Sequence, residues 1–96
     1  MRQASRRDEN ERDIIEALSA SGWGVHQINA TGFPDLVIAK GKRTLLVEVI
    51  GPAKAAKYRR TGGLTPAQVR FHALWPGVIH KVYSVAEALQ LVRCRL

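Results

Sequence analysis

Hydrophobic and polar positions follow a clear pattern in the middle of the chain, where two aliphatic runs flank a short polar break. The runs cover residues 36–39 and 44–49, and Gly41 and Lys42 lie between them. Such runs on either side of a Gly-containing pair are typical of a β-hairpin, and Gly at the first loop position favours a type II′ turn. That turn predicts the register, pairing position 40 with 43, 38 with 45 and 35 with 48.

The rest of the pattern predicts helices and short strands on either side of this hairpin. Two capping boxes, Thr65 to Gln68 and Ser84 to Glu87, mark helix starts. Residues 51–63 have no apolar periodicity, so we predict a loop there. The other predicted elements are a helix at 8–21, a strand at 25–29, a helix at 64–74, a strand at 78–83 and a helix at 84–92. Because the hairpin has apolar residues on both faces, we expect an α/β fold with a mixed sheet of about four strands covered by helices on both faces.

Length and charge narrow the class of protein. The 96 residues predict one domain, 1–96, in which residues 1–7 form a flexible basic arm. No apolar run approaches the roughly 18 residues of a membrane span and no signal-peptide core follows the Arg-rich start, so we predict a cytoplasmic protein without membrane contact. The single cysteine, Cys94, excludes an internal disulfide and a Cys-rich zinc site. The net charge of +7 favours a polyanionic partner, although a solvated basic surface is the alternative.

The two acidic residues of the hairpin point to a metal site. Asp35 and Glu48 lie opposite each other in the predicted register, and they are the only acids between Ala17 and Ala86. Like charges directly opposite destabilise a strand pair, so this placement suggests a divalent cation, and Mg²⁺ is typically held by one or two carboxylates. A slip of one residue sends the side chains to opposite faces and leaves Asp35 as a turn residue and Glu48 as a strand-end charge.

The residues around these acids resemble a nuclease motif. Pro34-Asp35, followed by a hydrophobic strand that ends in Glu48-Val49-Ile50, resembles the PD-(D/E)xK motif, and segments 62–68, 75–77 and 84–89 are similar to the rest of a VRR-NUC (virus-type replication-repair nuclease) domain. The resemblance implies a restriction-endonuclease-like fold and Mg²⁺-dependent hydrolysis of DNA, with Mn²⁺ as a substitute. It also implies a homodimer that acts on branched DNA such as a Holliday junction, in phage or bacterial replication or repair.

The resemblance also implies roles for individual residues. Asp35, Glu48 and the carbonyl of Val49 are the expected metal ligands, Glu11 on the first helix is a further one, and Gln68 is expected near the active site. Independently of the resemblance, the apolar pattern places Glu11 on the inward side of its helix. The alternative to a metal ligand is that Glu11 only interacts favourably with the helix dipole. Gln68 also has a structural role in the capping box.

Position 50 departs from the family motif, which has a lysine where this chain has Ile50. A lysine from the following segment, Lys54 or Lys57, is one replacement. A sequence altered so that cleavage is weakened is the second explanation, and a natural inactive relative that only binds nucleic acid is the third. We expect a nuclease of altered or weakened activity, with the binding module as the alternative.

Basic residues cluster after the hairpin and are predicted to contact DNA phosphates, with an aromatic ring among them that can stack on a base. The alternative is a flexible, solvated loop. His72, on the following helix, is predicted to be a partly buried structural residue. The predicted DNA contacts are Lys54, Lys57, Tyr58, Arg59, Arg60 and Arg70.

Overall fold

A computed structural model describes residues 9–93 of the chain. The helices and strands alternate along this part of the sequence, as expected for an α/β protein. In chain order they are α1 (Glu11–Ala20), β1 (Gly24–Gln27), β2 (Leu36–Lys40), β3 (Arg43–Val49), α2 (Pro52–Lys57), a 3₁₀ turn (Arg59–Thr61), α3 (Pro66–Leu74), β4 (Ile79–Val82) and α4 (Val85–Arg93). No helix between residues 9 and 93 combines the length and the apolar character needed to cross a bilayer.

The four strands form one sheet in the order β1, β2, β3, β4. The first three run antiparallel to their neighbours, and β4 lies parallel to β3. The parallel pair is joined by a crossover that contains α2, the 3₁₀ turn and α3. The predicted mixed sheet of four strands is therefore confirmed.

Helices cover both faces of this sheet. On one face, side chains of α1 and α4 pack against the strands to form the hydrophobic core. On the other face, Gln68 and His72 of α3 contact the side chain of Glu48 on β3. The buried residues of the core are Ile14, Leu18, Trp23, Leu36, Ile38, Val47, Val49, Val82 and Ala88.

The hairpin has the predicted turn and register. Gly41 has a φ of 63° while Lys42 keeps a negative φ, the combination expected of a type II′ turn. Lys40 pairs with Arg43, as predicted. The ladder ends one pair before the acids, so Asp35 immediately precedes β2, and its carbonyl accepts a hydrogen bond from the amide of residue 28 at 2.8 Å.

The prediction of a loop at residues 51–63 is wrong, because most of this segment is helical. Gly51 is the N-cap and Pro52 the first residue of α2, a position where proline stabilises a helix start. The next five residues are only alanine and lysine, which have high helix propensity. The 3₁₀ turn then ends at Gly62, which is in the left-handed conformation.

The start of α1 is held by a tertiary contact in place of a side-chain cap. Asn10 occupies the N-cap position, but its side chain makes no capping hydrogen bond. Its Nδ2 instead donates to the carbonyl oxygen of Tyr83 at 3.1 Å, which ties the start of α1 to the end of β4. Asp8, where the sequence predicts this helix to begin, and the predicted basic arm at 1–7 lie outside the described residues.

The predicted capping box of α3 is confirmed. The amide of Gln68 donates to Oγ1 of Thr65 at 3.2 Å, and the amide of Thr65 donates to Oε1 of Gln68 at 2.9 Å. At α4 the amide of Glu87 donates to Oγ of Ser84, but Oε1 of Glu87 accepts from the amide of Tyr83, one residue earlier than a standard box. The side chains of Gln68 and Glu87 therefore each hold the backbone that leads into their own helix.

Candidate functional site

The two hairpin acids meet beside the end of β3, as the register predicts. Oδ2 of Asp35 accepts a hydrogen bond from the amide of Val49 at 2.8 Å, which holds this carboxyl group across the strand pair. The side chain of Glu48 is fully buried. Burial raises the pKa of Glu48 to about 9, and the charge of Asp35 and a hydrogen bond between the two carboxyl groups act in the same direction. At neutral pH the pair therefore shares a proton.

Helix α3 supplies the other contacts of Glu48. Nε2 of Gln68 donates to Oε1 of Glu48 at 3.0 Å, and Nε2 of His72 lies 3.0 Å from Oε2. Burial lowers the pKa of His72, and the nearby charges of Lys81 and Lys54 lower it further. His72 is therefore neutral at pH 7, and both oxygens of Glu48 have a side-chain partner on α3.

The contact between His72 and Glu48 goes beyond the purely structural role predicted for this histidine. His72 is partly buried, as expected, with 20% of its side chain exposed. The sequence does indicate that Gln68 and His72 lie together, because residues four apart in a helix share one face. The sequence does not show that this face packs over Glu48, since that depends on where the crossover places α3.

Two lysines of α2 were candidates to replace the lysine of the family motif, and they occupy different places. The positive charge of Lys54 is close enough to oppose the rise in the pKa of Glu48. Nζ of Lys57 instead lies over the ring of Tyr58, 5.4 Å from its centroid. Of these two residues, Lys54 is the one that acts electrostatically on the acid pair.

Ile50 contributes bulk and no polar group next to the acid pair. Its side chain is 1% exposed, and its amide donates to the carbonyl of Val82 at 2.9 Å. A Cβ placed on Gly63 would lie 2.4 Å from Cγ2 of Ile50, so the two residues are packed without free space. The predicted position of the family lysine is thus an apolar contact between the residue that follows β3 and Gly63, in the segment before α3.

The carboxylate on α1 does not join the pair. Glu11 is 2% exposed, and its Oε2 accepts a hydrogen bond from Nε2 of Gln27 at 3.1 Å. Between residues 9 and 93, no three His, Cys, Asp or Glu side chains group closely enough to hold a metal ion. A ligand role for Glu11 therefore stays a prediction, as does a ligand role for the carbonyl of Val49.

The Asp35–Glu48 pair nevertheless suits Mg²⁺. This ion prefers oxygen ligands and is commonly bound by one or two carboxylates, with waters and substrate phosphates completing its coordination. Burial, and after it the charge of Asp35, raise the pKa of Glu48 to about 9, and a divalent cation would neutralise the negative charge that the proton now offsets. The donor chemistry of this pair therefore fits a magnesium site that is completed by its substrate.

Most of the predicted DNA contacts line one groove on the outer side of α2 and α3. The groove has a volume of about 730 Å³. Lys54 is absent from its lining and lies instead near Glu48. The predicted contacts that line the groove are Lys57, Tyr58, Arg59, Arg60 and Arg70.

Comparisons with protein-family models, with curated proteins and with solved structures give no match for this chain. The resemblance to a VRR-NUC domain therefore stays a prediction that depends on the residues themselves.

Proposed function

We propose that this chain is a Mg²⁺-dependent DNA endonuclease with a restriction-endonuclease-like fold of the VRR-NUC type. The observation that carries the proposal is the meeting of Asp35 and Glu48 at the edge of the hairpin, where two carboxyl groups share a proton and the charge of Lys54 acts on Glu48. A stability role alone does not account for a carboxyl pair that includes the fully buried Glu48, because like charges opposite each other destabilise a strand pair.

Each residue of the pair has a neighbour that orients it. Asp35 and Glu48 would hold the metal ion, which when bound activates water and neutralises charge on a phosphate. The amide of Val49 fixes the Asp35 carboxylate, and Gln68 and His72 hold the two oxygens of Glu48. These contacts limit the motion of both carboxylates, as a site for a small, geometrically demanding ion requires.

Lys54 takes the place of the missing family lysine in this proposal. Its charge acts on Glu48, so an ammonium group is present beside the acids although position 50 is apolar. A cation there can orient the water or stabilise negative charge that develops on the phosphate. Ile50 limits the rate, because it fills the position from which a lysine would approach.

The substrate class follows from the charge distribution. The groove along α2 and α3 contains four cationic side chains, which suit the phosphates of a DNA strand. The resemblance adds a homodimer that acts on branched DNA such as a four-way junction, within a bacterial or phage-infected cell. Helices α2 and α3 line the groove and also provide Lys54, Gln68 and His72 as neighbours of Glu48. DNA in the groove would therefore be held by the helices that also form the site.

A second candidate is a nucleic-acid-binding module without catalysis. The apolar seal between Ile50 and Gly63 favours it, because it excludes a polar group from the expected position of the lysine. This alternative retains the groove and predicts no metal-dependent cleavage.

A cleavage assay separates the two candidates. End-labelled four-way junction, flap, nicked and plain duplex DNA are incubated with the protein in Mg²⁺ or Mn²⁺, and the products are resolved on denaturing gels. We expect cleavage of a branched substrate, and a loss of at least roughly 100-fold in Asp35→Asn. Asp13→Asn removes the same charge from an exposed position on α1 and is the matched control. If no substrate is cut, or if Asp35→Asn cuts as well as the parent protein, the binding module replaces the nuclease.

A further inference from the structure

Part of the lining of the groove along α2 and α3 is apolar, which phosphate binding does not require. Leu64, Pro66 and Val69 contribute to its lining. On α3, Val69 is 37% exposed, whereas the preceding residue, Gln68, faces the sheet. Exposed aliphatic surface between cationic side chains is suited to a ligand with both an apolar plane and negative charge.

The charged residues that line the groove are all cationic. Arg59, Arg60 and Arg70 line it together with Lys57, and no acidic residue is part of the lining. Within residues 9–93 none of these three arginines forms an ion pair with a carboxylate. Their guanidinium groups are thus available for an anion, and their planar forks match phosphate oxygens.

Tyr58 presents its ring from a fixed turn at the side of the groove. Its carbonyl oxygen accepts hydrogen bonds from the amides of Thr61 at 3.1 Å and Gly63 at 2.9 Å, which close the chain around it. Lys57 lies over the ring, 5.4 Å from its centroid. The backbone at Tyr58 is thus fixed, and its side chain has only two dihedral angles to order when a second planar group stacks on the ring.

We infer that this groove receives the base of an unpaired nucleotide, with the adjacent phosphates of the same strand bound by the arginines. Base stacking on an aromatic side chain beside a cationic track is how many proteins bind single strands without sequence preference. The volume of about 730 Å³ lies within the usual range of ligand pockets, about 300–1,000 Å³. A base inside a duplex is stacked on its neighbours and cannot enter this groove.

This inference rests on the proposed function only for its biological meaning, which is a preference for DNA with unpaired nucleotides, such as a flap or a gapped junction. The binding site itself is independent of cleavage. It can therefore be tested without a metal ion, and its failure is distinguishable from failure of the nuclease proposal.

The test measures binding of fluorescein-labelled oligothymidine and of a duplex with the same number of phosphates, by fluorescence anisotropy in EDTA. We expect the protein to prefer the single strand. Tyr58→Ala should weaken single-strand binding roughly 5- to 100-fold and duplex binding less than about 2-fold, because a duplex offers phosphates but no free base. Tyr58→Phe should bind the single strand as the parent protein does, since it retains the stacking ring. Lys42→Ala, at the tip of the hairpin, is the control for loss of a surface cation.

Circular dichroism checks that each variant is folded. Val69→Ser provides a second, solvent-exposed change, which should weaken single-strand binding and spare duplex binding even if Tyr58→Ala does not fold. Equal losses for single strand and duplex, or no loss for either, would overturn the inference in favour of simple phosphate contact. Thymidine monophosphate that binds as tightly as the oligomer would also overturn it, because the groove would then be a site for free nucleotides.

Discussion

Replacing Glu48 by glutamine tests the protonation state of the acid pair without changing the size of the side chain. In the unfolded chain Glu48 has its ordinary pKa of 4.5, whereas burial and Asp35 raise the pKa to about 9 in the folded protein. Between these pH values the folded protein keeps a proton that the unfolded chain releases. The stabilisation from this proton is fully present below pH 4.5 and is lost as pH rises towards 9, so the free energy of unfolding falls across this window.

The size of the effect follows from proton linkage. One proton bound only by the folded state changes the free energy of unfolding by about 1.4 kcal/mol for each pH unit. From pH 7 to 8.5 the parent protein should therefore lose about 2 kcal/mol, which lowers the Tm of a domain of this size by roughly 8–16 °C. His72 does not change the free energy of unfolding between pH 7 and 8.5. Because its pKa is lowered in the folded protein, its contribution to stability is complete above its ordinary pKa of 6.5 and is lost only as pH falls below that value.

The measurement is thermal unfolding followed by circular dichroism in EDTA, at several pH values between 7 and 8.5. Glu48→Gln should be nearly independent of pH in this range, and at pH 8.5 it should be more stable than the parent protein. Glu16→Gln, an exposed change on α1 with the same loss of charge, controls for other groups that titrate here and should retain the slope. If Glu48→Gln loses stability with pH as steeply as the parent protein, Glu48 is ionised at neutral pH and the reasoning is wrong.

Three further predictions concern the metal and position 50. Binding of Mn²⁺ to the Asp35–Glu48 pair at pH 7 should release about one proton. Calorimetric titration detects the release as an apparent binding enthalpy that changes with the ionisation enthalpy of the buffer, and the same apparent enthalpy in every buffer would contradict the prediction. Ile50→Lys should raise metal-dependent cleavage roughly 10²–10⁴-fold and make Lys54→Ala nearly neutral, in a gel assay of initial rates; a parent protein that cuts briskly and gains nothing would show that Ile50 does not limit the rate and that Lys54 alone is sufficient. Gly63→Ala should lower the free energy of unfolding by about 2 kcal/mol or more, measured by urea unfolding, because its φ is 99° and its Cβ would overlap Ile50; a smaller loss would mean that this contact relaxes easily.

Local sequence rules were sufficient for the hairpin and for the start of α3. The type II′ turn at Gly41 fixed the register, which in turn placed Asp35 beside Glu48. The capping box from Thr65 to Gln68 was also readable, since it involves residues three apart. In both cases the controlling interactions lie within a few residues of each other.

Helix α2 was missed because the evidence for it was of a different kind. Hydrophobic periodicity is the main sequence signal for a helix, and α2 has no buried residue. Its start at Pro52 and its run of alanine and lysine favour a helix through intrinsic propensity alone, which is a weak signal over so few residues. The loop prediction therefore gave too much weight to the absence of periodicity.

The contacts of α3 with the acid pair could not be predicted, because they depend on tertiary structure. His72 reaches Glu48 across 24 positions of sequence, and Lys54 acts on Glu48 from a helix that was not expected. The same applies to Asn10, whose side chain bonds the end of β4 and leaves the cap of α1 without a side-chain partner. Such contacts follow from the path of the crossover, which the local pattern does not specify.

The parallel pairing of β3 with β4 has a consequence for the order in which the site forms during folding. The hairpin of β2 and β3 closes through a two-residue turn, and hairpins form in about 1–10 μs. β4 pairs with β3 across the crossover that contains α2 and α3, and such non-local contacts form more slowly. We therefore expect Asp35 and Glu48 to meet early, while Glu48 is still in contact with water. Docking of α3 then buries Glu48, so uptake of its proton should accompany this late step, and refolding should slow as pH rises from 7 to 8.5.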